Sequence, residues 1–120
     1  PFDELKAVLS GAEIIALQDR VRAVRVERAV ADYIVRLIEF TRGDARLRLG
    51  ISPRGSLALY RCAQAAALMA GRDYVLPEDV RGLATAVLSH RIVMDTKAKY
   101  GGLRNDSIIE EAMQNTPVPR

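Results

Sequence analysis

Tryptophan is absent from this chain, and aromatic residues of every kind make up only 5% of its 120 residues. A β-sandwich or barrel core leans on aromatic and β-branched side chains, so this poverty speaks against one. Hydrophobic residues still account for 49%. The core therefore has to be aliphatic and alanine-rich, which favours helices. Cysteine is reduced to Cys62. No internal disulfide can form, which suits a reducing, cytoplasmic setting. Cys62 is expected as a small buried thiol without a catalytic role. Histidine is reduced to His90, just after a helix, where a C-terminal dipole role fits best. One His, one Cys and no acid cluster at ligand spacing predict no metal site. No apolar run approaches the ~20 residues that span a bilayer, so no membrane partner is expected. The first ten residues, PFDELKAVLS, lack the basic start and long apolar stretch of a signal peptide. A start at Pro1 rather than Met points to a fragment. Phosphate loops are missing as well, since neither G-x-x-x-x-G-K-S/T nor G-x-G-x-x-G occurs.

What is present is helical punctuation. At 120 residues the chain is one domain by size, able to bury roughly two-thirds of its unfolded surface. Ser10-Gly11-Ala12-Glu13 has capping-box spacing. Ile14, Leu17, Val21 and Val24 follow at 3-4-3 spacing, with Arg20, Arg22 and Arg25 on or near the polar side. An extended break around Val24 to Val26 ends this helix. A second runs from about Glu27 to Arg42, with Val30, Tyr33, Ile34, Leu37 and Ile38 inward and Gly43 as the stop. Asp44 to Gly50 alternates apolar and polar but is too short for a strand and is read as a loop. A third helix, from Pro53 to about Ala70, is apolar on most sides, as a buried central helix would be. Gly71 ends it. Asp73-Tyr74-Val75 is a candidate short strand, and His90 to Val93 a second that could pair with Tyr74 and Val75. Pro77-Glu78-Asp79 opens a fourth helix, its acids serving the dipole, with Val80, Leu83, Ala84, Val87 and Leu88 as its stripe. Lys97 to Gly102 reads as a loop. Ser107 to Glu110 offers a second capping box, leading a short helix that ends before Thr116-Pro117.

Chemistry concentrates at one place. Ser52 has the residue type of a helix N-cap, and Pro53 suits the first helical position. Arg54 then lies in the first turn, at the positive end of the helix dipole, where a cation opposes the dipole by about 0.3–1 kcal/mol. An arginine beside free helix N–H groups, followed by Gly55, suits an anion, with phosphate the obvious candidate. The ordinary alternative is a solvated surface arginine. No second site competes. The acidic pairs Glu78-Asp79 and Glu110-Glu111 are explained by helix starts, and Ser52 has no neighbouring base.

The run G-I-S-P-R-G-S-L-A-L-Y-R-C-A-Q-A-A-A-L, then G-R-D-Y-V-L-P-E-D-V and V-L-S-H-R-I, resembles the C-terminal lid domain of MoxR-type AAA+ ATPases. The N-terminal D-E-L-K-A-V-L-S, the helix Y-I-V-R-L-I-E-F-T-R and the terminal T-P-V-P-R fit the same pattern, so the resemblance covers essentially the whole chain. It implies a mainly α fold: a bundle of about four to five helices with a possible short two-stranded pairing. Residues 1–120 would be a single lid, with 1–10 a linker from a missing ATPase core of the same chain. The resemblance also implies that Arg54 is the sensor-2 arginine reaching the ATP γ-phosphate, with Ser52 and Pro53 beside it at the nucleotide. Such an arginine would stabilise developing charge on a transferring phosphoryl group. ATP and Mg2+ would belong to the full-length protein and not to this fragment, which alone should show no ATPase activity. Implied partners are neighbouring subunits of a ring, commonly a hexamer, and von Willebrand A-domain proteins. The whole would be a chaperone-like factor that matures or metallates other proteins. One departure is visible: the family commonly has Thr before P-E-D, and here Leu76 stands at that cap. Such a loss costs about 1 kcal/mol, which packing of Leu76 is expected to recover.

Two other readings stay open on residues alone. A pI near 9.4 admits a DNA-binding or histone-like helical module. Against it, the net charge is only +3 and no block of like charge appears. A plain helical protein-interaction domain is the other.

Overall fold

The computed structural model describes residues 2–120; Pro1, the first residue of the expected linker, lies outside them. Among the described residues there are six α-helices: α1 (Gly11–Ala23), α2 (Arg28–Arg42), α3 (Pro53–Met69), α4 (Pro77–Leu88), α5 (Thr96–Tyr100) and α6 (Asn105–Asn115). Two short strands, β1 (Leu47–Leu49) and β2 (Val93–Met94), complete the regular structure, with single 3₁₀ turns at Phe2–Glu4 and Ser89–Arg91.

The core is aliphatic and small, as the shortage of aromatics requires. Tyr33, Ile34, Leu37 and Ile38 of α2 meet Leu59, Ala63 and Ala67 of α3, Val80, Ala84 and Leu88 of α4, and Ile108, Ile109 and Ala112 of α6, all buried. Ala63, Ala67 and Ala84 have no solvent exposure. Alanine at those seams lets α3 and α4, the most extensive helix pair, approach closely. Close packing leaves no room there for even one extra methylene without strain.

Helix ends follow local chemistry. Ser10 Oγ accepts from the Glu13 N–H at 3.1 Å while Glu13 Oε1 accepts from the Ser10 N–H at 3.0 Å, a complete capping box. At the far end of α3, Gly71 takes φ +79. The Gly71 N–H donates to the Leu68 carbonyl and the Arg72 N–H to the Ala67 carbonyl, both at 2.9 Å. This is a Schellman closure, and only glycine adopts that φ without cost. Leu76 stands at the cap of α4, and its N–H is taken by Asp79 Oδ2 at 2.7 Å. Arg72 grips the same carboxylate with both terminal nitrogens, at 2.8 and 2.7 Å. Asp79 therefore does more than complement the dipole.

Several expectations are corrected. The alternation before Gly50 is a strand after all: β1 pairs antiparallel with β2, Leu47 opposite Met94 and Leu49 opposite Val93. Tyr74 does not pair with the segment after α4; it forms a parallel bridge with Arg25, in the extended break after α1. Both pairings join segments distant in sequence, and local periodicity carries no record of such partners. The loop expected at 97–102 is taken up largely by α5, which starts at Thr96 and is capped by Asp95, whose carboxylate accepts from the Lys97 N–H at 2.8 Å. Helix α6 begins at Asn105, so Ser107 is no cap, and Glu111 lies mid-helix. Asn105 sets that start by donating to the Ser89 carbonyl at 2.8 Å, tying α6 to the turn after α4.

Helix α3 is central but not enclosed. Gly55, Leu59, Ala63, Gln64 and Ala67 form its buried face, whereas Leu57 and Met69 are exposed. Cys62 falls off that face and is exposed, contrary to the buried thiol expected. Helix α1 has the predicted stripe but buries none of its residues. It leans on α3 and is held there by Gln64, whose Nε2 donates to the Val24 carbonyl at 2.8 Å. None of the helices among the described residues is long and apolar enough to cross a membrane.

Candidate functional site

The start of α3 is a surface feature on a rigid foundation. Ser52 occupies the N-cap with φ −76 and ψ 166, and Pro53 opens the helix. Ser52 caps through its backbone only. Its carbonyl accepts from the Gly55 N–H at 2.9 Å and the Ser56 N–H at 3.3 Å, but its hydroxyl makes no cap bond. The expected side-chain cap is therefore not formed, and the Arg54 N–H, like that of Ser52, has no carbonyl partner at the helix start.

Ser52, Pro53 and Arg54 are all exposed. Among the described residues Arg54 joins no ion pair, and the first turn of α3 contains no acid. An uncompensated guanidinium, a free N–H and the positive end of a 17-residue helix coincide there. That donor set fits a phosphate oxygen. No carboxylate cluster for a cation accompanies it among the described residues.

The foundation beneath these residues was not visible as a site in the sequence. Ile51 is buried, and its two backbone polar groups are both held by the end of α2. Its N–H donates to Thr41 Oγ1 at 3.3 Å, and its carbonyl accepts from Arg42 Nε at 3.1 Å. Thr41 is itself buried and donates to the Ile38 carbonyl at 2.7 Å. Gly50 crosses directly over this pair; a Cβ there would stand 3.0 Å from Arg42 Cα and 3.1 Å from the Thr41 carbonyl oxygen. Gly55 is closed in as well, since a Cβ on it would overlap Ile51 Cγ2 and come within 3.3 Å of Arg91 Cδ. Arg91 in turn donates from Nε to the Val87 carbonyl at 3.1 Å, closing the end of α4. Beside the site, α2 and α3 enclose a shallow hollow of about 210 Å³ lined by Val35, Ile38, Glu39, Arg42, Pro53 and Ser56. The signals that could have found this foundation are the glycines at 50 and 55, each needed for a close approach, and the Thr-Arg pair ending α2.

Away from this site, the other charged constellations are structural. Arg46 bridges Asp44 and Glu111, joining the β1 turn to α6. The Arg46 guanidinium holds the Asp44 and Glu111 carboxyls below their usual values. Arg72, with help from the Leu76 N–H, does the same to Asp79. Arg81 Nη1 donates to Tyr33 Oη at 3.1 Å and to the Met113 carbonyl at 3.3 Å, linking α4 to α2 and α6. His90 is exposed in the turn after α4.

Comparison with known proteins places this geometry in a family. Residues 39–112 match the AAA lid domain family. The protein YeaC of Bacillus subtilis is 40% identical over 119 residues, covering 99% of this chain and 37% of that protein. Chaperone MoxR1 of Mycobacterium tuberculosis is 32% identical over 126 residues, covering 98% of this chain and 33% of its own length. A crystal structure of a candidate ATPase from Cytophaga hutchinsonii superposes with a TM-score of 0.89 at 27% identity, over 96% of this chain and 38% of that one. The chain thus spans about a third of the length of these relatives. It belongs to the AAA lid domain family, as the lid of a MoxR-type AAA+ ATPase.

Proposed function

We propose that this lid closes over ATP held by a separate ATP-binding part of the longer protein and presents Arg54 to the terminal phosphate. The observation that carries the reading is the pairing of opposites at one helix start. Arg54 opposes the α3 dipole and has no acidic partner among the described residues, while its backbone is fixed by Ser52, Ile51 and Gly55. A phosphate would complement the guanidinium, the free Arg54 N–H and the dipole together. In the transition state the same guanidinium would stabilise charge developing on the phosphoryl oxygens. Ser52 and Pro53 would shape the approach. Bound ATP with Mg2+ would supply the hydrolytic chemistry, and the magnesium ligands would come from outside this chain.

At the level of the whole protein we propose a chaperone-like ATPase, in keeping with the name of the Mycobacterium tuberculosis relative. Its action would involve neighbouring subunits of a ring, a hexamer by family, and a von Willebrand A-domain partner, in the cytoplasm. The rest of the same chain would cover α1, whose stripe of Ile14, Leu17 and Val21 is otherwise unburied. The nucleic-acid alternative loses support on the arginine-rich side, where Arg22, Arg25 and Arg72 are matched by Asp19, Glu27 and Asp79. The test is Arg54→Ala in the full-length protein, measuring ATP turnover together with the melting temperature.

A further inference from the structure

We infer that Arg42 is a positioning residue for the phosphate-sensing helix start: the Thr41-Arg42 pair at the end of α2 clamps Ile51 and thereby fixes where Arg54 stands. This rests on the reading of Arg54 given above, and the argument is one of hydrogen-bond accounting. A buried peptide group needs partners for both its N–H and its carbonyl. Ile51 is buried and precedes the N-cap, so the helix offers its N–H no partner. Thr41 Oγ1 takes the N–H and Arg42 Nε donates to the carbonyl. Both come from adjacent residues on a different helix. The pairing therefore sets the height and rotation of α3 against α2 just three residues before Arg54. Gly50 permits it by lacking a Cβ, which would stand only 3.0 Å from Arg42 Cα.

Position alone would not need an arginine. Arg42 is exposed, and its cationic end would serve the α2 dipole in many rotamers. Its Nε is nevertheless spent on a single backbone carbonyl, which holds the guanidinium against the loop. Loss of that donor strands a buried carbonyl, and the turn has to shift or admit water to satisfy it. Since a displacement of about 1 Å in a catalytic group can cost on the order of a hundredfold, a loosened turn should be read out in turnover.

The experiment uses the full-length protein with Arg42→Ala, Arg42→Lys, Arg54→Ala and the double Arg42→Ala/Arg54→Ala. ATP turnover, ATP affinity and peptide-resolved hydrogen exchange are measured for each. The expected result for Arg42→Ala is a roughly ten- to hundredfold loss of turnover and faster exchange confined to the peptide over residues 50–57. Arg42→Lys, which keeps a donor, should recover most of the activity. The double variant should be no slower than Arg54→Ala, because Arg42 acts only through Arg54. Losses that multiply in the double variant would overturn the inference by showing that Arg42 acts on its own. So would unchanged turnover and exchange in Arg42→Ala, or a loss accompanied by faster exchange across the whole lid. Full turnover in Arg54→Ala would instead remove the phosphate-sensing reading, while local exchange in Arg42→Ala would still report the clamp.

Discussion

Two side chains at helix starts, Asp79 and Arg54, behave in opposite ways: Asp79 holds backbone, and Arg54 joins no ion pair among the described residues. Asp79 caps α4 through the Leu76 N–H and receives both nitrogens of Arg72, so a threonine at position 76 is not needed for that cap. Asp79→Ala removes the acceptor and leaves a helix start unsatisfied. We expect a loss of about 1–3 kcal/mol, seen as a lower urea midpoint with unchanged m-value. The carboxyl of Asp79 is held below its ordinary value of 3.8, by Arg72 first. A depressed folded value means that the contribution is complete above the unfolded value. It declines as pH falls through 3.8 toward the lower folded value. Unfolding free energy measured from pH 6 to pH 3 should therefore fall with acid, and Asp79→Asn should flatten that fall. A slope identical in the variant would contradict the assignment. Arg54 stands apart from these groups, exposed and without an acid among the described residues. Its oddity was legible from sequence, because Pro53 fixes the helix start and the dipole argument needs nothing else. Arg42 was not, because its role depends on a carbonyl nine residues away across a loop.

Elements were legible in proportion to how local their causes are. Helix α2 has its inward face where the 3.6 period puts it, and the Ser10–Glu13 box and the Gly71 closure are written in adjacent residues. The β1–β2 pairing was hidden because each strand alone is only three or two residues long and is stabilised by a partner more than forty residues away. Helix α3 misled by composition. Alanines suggested burial all round, whereas the structure uses them at one seam with α4 and leaves Leu57, Cys62 and Met69 outside. That seam has a test at its own scale. Ala63→Leu should overpack α3 against its neighbours and cost about 1–3 kcal/mol, whereas Cys62→Leu, one residue away, should stay within about 0.5 kcal/mol of the parent. Thermal unfolding of the two variants separates a one-sided seam from an enclosed helix.

At the scale of the molecule, the shape is a flattened slab of 49 × 43 × 20 Å with a radius of gyration of 17.0 Å. A compact domain of this length has a radius near about 14 Å. The excess comes with an arm: residues 2–20 are exposed throughout, including Phe2, Leu5, Val8, Leu9, Ile14, Ile15 and Leu17. An apolar strip of that extent calls for a cover. Amides of α1 should accordingly exchange fast in this chain alone and at least tenfold more slowly in the full-length protein; equal rates would argue that nothing packs on α1. No phosphate loop is present, so the isolated chain should release no phosphate from ATP, and on the proposed reading the start of α3 would supply only part of a nucleotide site. The most direct test of the central claim is therefore ATP turnover by full-length Arg54→Ala protein, measured beside its melting curve. The account predicts a loss of at least tenfold, equivalent to about 1.4 kcal/mol or more of transition-state stabilisation, with the melting temperature of the lid unchanged. Turnover equal to that of the parent would contradict it.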